Sequence, residues 1–296
     1  MVPSRHVFKV LLRLVALALG LALLAGLAYW CRPLPRPVTR RLFRGVTYTR
    51  EVRASPGPVV FHTVIVEIGA PGVSFFVTPG DGARRLPIDA RTTTGFLREF
   101  HVQVAMNGDF FSPWYSNNAL DFYPHIGDPV EVEGYAASGG AVYSRNTSRT
   151  CRTLRFSRDH RASMTLPLEE ANHAISGEAL VEDGKAVPLA GSIHDPERPL
   201  PRSAVGLDRE EKRLFLLVVD GRQPNYSEGV GLAELAEFAL RSGAWTAINL
   251  DGGGSTSLVA ESGPGEAIQL NSPAHTRIPG RERPVANHLG IRASPE

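Results

Sequence analysis

Lysine is nearly absent from this chain of 296 residues. It occurs only at Lys9, Lys185 and Lys212, so arginine carries almost all of the positive charge. The formal net charge is only +2, and the arginines are scattered rather than striped along one face, which argues against a nucleic-acid partner. Cysteine is scarce as well, with Cys31 and Cys151 the two in the chain. Two cysteines exclude a cysteine-based zinc cluster and a disulfide-rich scaffold. A Cys31–Cys151 bridge would need an oxidising compartment. Two unpaired thiols are the plainer expectation, because Cys31 ends an apolar segment. Cys151 lies in the run RTCRTLR with no nucleophile motif around it. The histidines form no metal pattern: His101, His125, His173, His194 and His288 stand apart, with none at helical spacing to another ligand. No internal repeat and no low-complexity tract is present.

One long hydrophobic run exists. Arg5, Lys9 and Arg13 precede an uncharged stretch from Leu14 to Trp30. As a helix it spans roughly 25 Å, near the lower limit for crossing a bilayer. Tyr29 and Trp30 are placed as interfacial anchors. No small-x-small cleavage site follows, so residues 1–31 read as an uncleaved N-terminal membrane anchor rather than a removed signal. Arg32, Arg36, Arg40, Arg41 and Arg44 follow the helix, so the flanking charges divide their vote on orientation. An anchor with its catalytic domain outside, on the periplasmic or cell-surface side, is the expectation. Residues 32–45, rich in Pro and Arg, read as an extended linker that lifts the domain off the membrane. Residues 46–296 read as one globular domain.

Within that domain, Val59–Ile68 and Val73–Val77 have strand composition, and Thr92–Phe100 suits a short helix. Val102–Met106 reads as a buried strand. Asp183-Gly184 reads as a tight turn between 179–182 and 185–189. Leu214–Val219 is a continuous apolar run, as expected of a strand buried on both faces. Leu232, Leu235, Ala236 and Ala239 then repeat at helical spacing, with Gly243 as a stop. Thr246–Leu250 is the next strand. This pattern predicts an α+β fold: a mixed β-sheet core with a βαβ unit, its strands near 214–219 and 246–250 and its helix near 231–242, flanking helices, and a transmembrane helix in front.

Three strands end alike, in Asn107-Gly108-Asp109, Asp220-Gly221-Arg222 and Asp251-Gly252-Gly253-Gly254-Ser255. If the last two strands are parallel, Asp220 and Asp251 share one sheet edge, where ligands bind in open sheets. A hairpin needs one glycine; three leave backbone amides bare for an approaching anion. The loop lacks a Gly-Lys-Ser/Thr ending, which argues against a nucleotide P-loop. Arg202 and Arg222 suit a phosphodiester, because a planar guanidinium binds two oxygens at once. Glu178 is a further carboxylate of open placement. No cofactor is required; a divalent Ca²⁺ or Mg²⁺ held by Asp220, Asp251 and carbonyls would be compatible.

These residues carry a resemblance. MNGDFFSP at 106–113, SGEALVEDGK at 176–185, RSAVGLD at 202–208, VVDGR at 218–222, INLDGGGSTSLV at 248–259 and PGRERPVANHLGI at 279–291 resemble the phosphodiester glycosidase family, the uncovering-enzyme type. The last segment is similar to a bacterial branch related to exopolysaccharides. The resemblance covers most of the chain after about Val59. The family usually has a small residue where this chain has Asp109, so that carboxylate would bear on specificity, supply a catalytic group, or sit on the surface.

The resemblance implies hydrolysis of the bond between a sugar's anomeric carbon and a phosphodiester oxygen in an envelope glycan. Such chemistry commonly uses two carboxylates. Asp220 and Asp251 are the expected pair, with Asn107 bonded to the sugar. Arg202, Arg222, Gly252, Gly253, Gly254 and Ser255 would hold the substrate's phosphate, with Asp109 and Glu178 nearby. Two other readings stand beside it. One is a non-catalytic polysaccharide binder using Trp114 and Tyr115, and the other is a metal-dependent phosphodiesterase.

Overall fold

The computed structural model describes residues 5–82, 86–145, 151–188 and 196–296. His194, Leu189 and the side chain of Cys151 lie outside the described set. Helix α1 (Arg5–Trp30) contains the window Lys9–Leu27, long and apolar enough to cross a membrane by length and composition, with none of it buried against the rest of the chain. Cys31 is exposed and free.

The linker is shorter than its composition suggests. Strand β1 (Val38–Phe43) pairs antiparallel with β2 (Val46–Arg53), so only 32–37 lack regular structure. Extended Arg- and Thr-containing backbone is as suited to a sheet edge as to a spacer, and here the edge of β2 is available to pair it.

Among the described residues two large sheets form the core of the domain, beside a three-stranded and a two-stranded sheet. The larger has twelve strands. Its main path runs β1, β2, β3 (Val59–Glu67), β11 (Arg213–Val219), β10 (Arg202–Leu207), β12 (Thr246–Asn249), β9 (His173–Glu182), β6 (Tyr135–Ser138) and β7 (Ala141–Arg145). Strand β8 (Cys151–Phe156) also pairs with β9. The smaller sheet runs β14 (Glu266–Gln269), β13 (Leu258–Gly263), β5 (Val104–Asn107), β15 (His288–Arg292) and β4 (Ser74–Val77). Helix α2 (Thr93–Phe100) is capped by Thr92, whose Oγ1 accepts from the Gly95 amide at 3.0 Å. Helix α3 (Leu232–Ser242) stops at Gly243, which takes φ +103° as the left-handed cap. The Asp183-Gly184 turn forms as expected, with φ of +50° and +71°.

The α+β class holds, but the sheets are not mixed. Every pairing between named strands among the described residues is antiparallel. The two strands of the expected βαβ unit are not paired with each other. Strand β10 lies between β11 and β12 and is antiparallel to both. The two strands run in the same direction with α3 connecting them, but they are not neighbours. The apolar run in β11 misled because burial on both faces is independent of strand direction. Leu214, Leu216 and Val218 face the small sheet, while Phe215, Leu217 and Val219 pack under α3 against Phe238 and Leu235. Burying each such side chain contributes on the order of 2 kcal/mol.

Three buried histidines make the fold sensitive to acid. Burial holds His288 at a pKa of about 3, with the charge of Arg91 adding to the effect. Burial and nearby arginines hold His275 at about 3 and His173 at about 4. An unfolded chain takes up these protons near pH 6.5, and the folded chain does not. Their contribution is therefore complete above about pH 6.5 and is lost as pH falls toward the folded values. The melting temperature should be flat above neutrality and fall steadily from about pH 6.5 to 4. At pH 5 the loss is on the order of 2 kcal/mol per fully buried histidine. Calorimetry across that range checks it, and a flat profile would contradict it.

Candidate active site

Strand β12 delivers Asn249, then Leu250 and Asp251, to the edge of the large sheet. The backbone of Asp251 is clamped there from the small sheet. Its amide donates to the Gly108 carbonyl at 3.1 Å, and its carbonyl accepts from Asn107 Nδ2 at 2.6 Å. Asn107 is wholly buried, and its Oδ1 accepts from Ser203 Oγ at 2.7 Å and from the Ser257 amide at 3.1 Å. Asn107 therefore has no face turned to a substrate. It joins the two sheets and fixes the Asp251 turn, which corrects the expectation that it bonds a sugar.

The three glycines after Asp251 also serve a different end from the one expected. A Cβ on Gly252 would meet the Pro201 carbonyl at 2.8 Å. On Gly253, where φ is +62°, it would meet Arg222 Nη2 at 2.7 Å. On Gly254 it would meet Arg283 Nη2 at 2.8 Å. The Gly253 amide donates to the Pro201 carbonyl at 2.8 Å, and the Ser255 amide to the Gly252 carbonyl at 3.2 Å. The glycines thus make room for two guanidinium groups to lie against the backbone, and the Gly253 and Ser255 amides are not bare donors. Ser255 is buried and its hydroxyl accepts from Arg283 Nη1 at 3.2 Å, behind the cavity rather than in it.

A cavity of about 420 Å³ opens in front of this loop. Its wall holds five arginines, Arg198, Arg202, Arg222, Arg277 and Arg283. Burial, with the charges of Arg283, Arg198 and Arg277, lowers the Arg222 guanidinium to a pKa of about 10. Burial lowers Arg283 too, and Asp251 opposes that shift. Guanidiniums crowded into a half-buried wall beside one another suit an anionic ligand, whose charge would favour their protonated form. Arg202 is nearly buried, donating from Nε to the Val230 carbonyl at 3.2 Å and from Nη2 to the Arg198 carbonyl at 3.1 Å. Arg283 lies over the Trp114 ring at 5.0 Å, and Trp114 and Phe110 form an aromatic side of the cavity.

Two carboxylates share that wall, Asp251 and Glu178. Glu178 stands opposite Asn249 in the β9–β12 register, and Asn249 Nδ2 donates to its Oε2 at 3.1 Å. Asp220 is not on the wall. It is wholly buried, with Oδ2 paired to His62 Nε2 at 3.0 Å and Oδ1 accepting from the Ser272 amide at 2.7 Å and Asn271 Nδ2 at 3.2 Å. Val219 is in the core under α3, so by alternation Asp220 turns to the other face, toward the small sheet. The expected pairing of Asp220 with Asp251 across one pocket is thus corrected: strand ends share an edge, but their side chains need not share a face. Asp109 is neither on the surface nor on the wall. It is 1% exposed, and burial pushes its carboxyl well above the ordinary range. With Asp220 and Asp251 apart, a cation bridging them is not supported. No group of three or more His, Cys, Asp or Glu side chains placed for a metal occurs among the described residues.

The sequence reading missed Arg283, Arg277 and Arg198. Arg283 was within reach, since it stands in the closing segment PGRERPVAN, but one arginine among many gives no signal alone. Gly254→Ala tests the packing directly. The backbone there is compatible with alanine, while the new methyl would displace Arg283. Affinity for inorganic phosphate should fall about tenfold, or about 1.4 kcal/mol, with a melting temperature within a few degrees of the parent. Unchanged phosphate binding, read by calorimetry, would show that Arg283 does not hold the anion.

The family model described as phosphodiester glycosidase matches residues 100–292. Over 58 residues the chain is 50% identical to N-acetylglucosamine-1-phosphodiester alpha-N-acetylglucosaminidase from Bos taurus. That match spans 20% of this chain and 10% of the bovine protein. The zebrafish enzyme's catalytic domain, auto-inhibited by its pro-peptide, superposes with a TM-score of 0.57 at 22% identity, over 88% of this chain and 85% of that one. A hypothetical protein from Synechocystis gives a TM-score of 0.61 at 15% identity, over 88% of this chain and 64% of its own. At these identities the structural likeness is one of fold. The family match covers most of the two-sheet domain, including the Asp251 loop and its arginine wall, and the chain belongs to the phosphodiester glycosidase family.

Proposed function

We propose that this chain hydrolyses the bond between a sugar's anomeric carbon and a phosphodiester oxygen, working outside the cytoplasm on an envelope or exopolysaccharide glycan and tethered by α1. The observation that carries this reading is the cavity wall, where five arginines face two carboxylates. The family supports the reaction class. The name of the bovine relative supports an N-acetylglucosamine-1-phosphodiester as the first substrate to try.

The chemistry follows from the charges. Water adds to the anomeric carbon, and the bond from that carbon to the bridging oxygen breaks. Both bonding electrons leave with the phosphate, which departs as a phosphomonoester, and the proton lost by water passes to a carboxylate. Arg202, Arg222 and Arg283 take up the charge that grows on the leaving phosphate, so protonation of that oxygen matters less than its binding. Asp251 and Glu178 are the carboxylate pair that supports the oxocarbenium-like carbon and receives the proton. Asn107 and Asn249 act through them: one fixes the Asp251 turn and the other orients Glu178. Trp114 offers an apolar face to the sugar ring.

Asp251→Asn and Glu178→Gln should each lower kcat by a factor of about 100 or more on a sugar-1-phosphodiester, with folding retained. Asp220→Asn should behave differently, destabilising the protein by about 3 kcal/mol through its buried histidine partner. Full turnover in folded Asp251→Asn protein would remove that residue from the mechanism. Substrate binding without product release in the parent protein would favour a polysaccharide binder instead.

A further inference from the structure

The end of α1 docks beside the cavity. Tyr29 Oη donates to the Arg222 carbonyl at 3.4 Å, and the Arg222 side chain lines the wall. Three residues on, Arg32 Nη1 donates to Gln223 Oε1 at 2.6 Å and to Ser272 Oγ at 2.8 Å. Its guanidinium lies 3.7 Å from the centre of the Tyr226 ring. Tyr29 stands two residues past the apolar window Lys9–Leu27, about 3 Å further along the helix axis. If α1 spans a bilayer, this latch sits at headgroup depth, and the cavity rim is held there with it.

A second feature lies on the same rim. The segment 113–126 contributes Trp114, Ser116, Asn117 and Asn118 to the wall. Outside the cavity it exposes Leu120 at 91% and Ile126 at 71%. The latch and this segment are joined through one stretch of chain. Ser272 holds Arg32, His275 meets the Phe122 ring edge-on at 4.8 Å, and Arg281 Nη1 donates to the Ala119 carbonyl at 2.8 Å. Arg277, between them, lines the cavity, and Ile278 beside it is exposed. Large aliphatic side chains this exposed on an ordered loop suit an apolar partner, and continuity with α1 identifies it as the membrane surface.

We propose that the cavity opens against the bilayer and that the substrate's second ester arm is a lipid alcohol, so that the enzyme takes a sugar–phosphate–lipid from the membrane plane. This rests on the glycosidase reading above and narrows it. The cationic wall receives the phosphate at headgroup level, the sugar enters the cavity toward Asp251 and Glu178, and the lipid chain stays in the bilayer. The products are a free sugar and a lipid monophosphate that remains in the membrane.

The test uses the full chain in vesicles of phosphatidylcholine and phosphatidylglycerol. Two substrates are compared, the hexadecyl and the methyl diesters of N-acetylglucosamine-1-phosphate. The hexadecyl diester, embedded in the vesicles, should be cleaved with kcat/KM at least tenfold above the methyl diester. The double variant Leu120→Asp, Ile126→Asp should lose at least fivefold on the hexadecyl diester and nothing on the methyl diester. Arg32→Ala should erode the same preference by freeing the rim from the anchor. Equal rates on the two diesters, or a double variant indifferent to the lipid arm, would overturn the lipid assignment and leave the hydrolase reading standing. Failure to cleave either diester would overturn both.

Discussion

The site depends on the clamping of one peptide unit. The backbone of Asp251 is held on its amide side by Gly108 and on its carbonyl side by Asn107, the last residue of β5 in the small sheet and the residue that follows it supplying the clamp. Asn107 reaches Ser203 on the large sheet with its other end. A buried amide side chain with its donor and acceptor both used is worth more than its bond count. Removing it leaves several buried groups unpaired at once. The two sheets therefore meet in a fixed relation at the residue whose carboxylate faces the cavity. Precision of this kind is what a site for charged substrates needs, because the worth of a carboxylate or a guanidinium depends steeply on its placement.

The arginine wall is the second consequence of that turn. Placing five guanidiniums around one cavity is electrostatically unfavourable, and burial, with the charges of Arg283, Arg198 and Arg277, lowers the pKa of Arg222. Asp251 offsets part of it, and the Trp114 face receives Arg283. A phosphate would offset the rest. The glycine run matters here for geometry more than for bare amides: side chains on Gly253 and Gly254 would occupy the space that Arg222 and Arg283 take.

Much of this was legible in the chain itself. The apolar helix, the short helix near Thr92–Phe100, the Gly243 stop, the Asp183-Gly184 turn and the Asp251 glycine loop are local signals that the structure reproduces. Those signals arise from backbone conformations that few residues adopt or from period-3.6 apolar patterns. The strand neighbours were not legible. A strand covered on both faces has the same apolar run whether its neighbours are parallel or antiparallel, so β10 could not be placed between β11 and β12. Val38–Phe43 likewise reads as a spacer until β2 offers it an edge.

What the sequence determined by itself was the inventory: an anchor-like helix, motifs ending in Asp-Gly, Asn-Gly and a triple glycine, and arginine in place of lysine. What only the tertiary structure decided was which carboxylates meet. Asp220 and Asp251 end strands of the same direction at one edge, and spacing alone makes them a pair. Side-chain alternation sends Asp220 into the space between the sheets, against His62, while Glu178 reaches the cavity beside Asn249. The period of two along a strand turns a one-residue difference in where a strand ends into opposite faces of a sheet, and that difference is invisible until register is known.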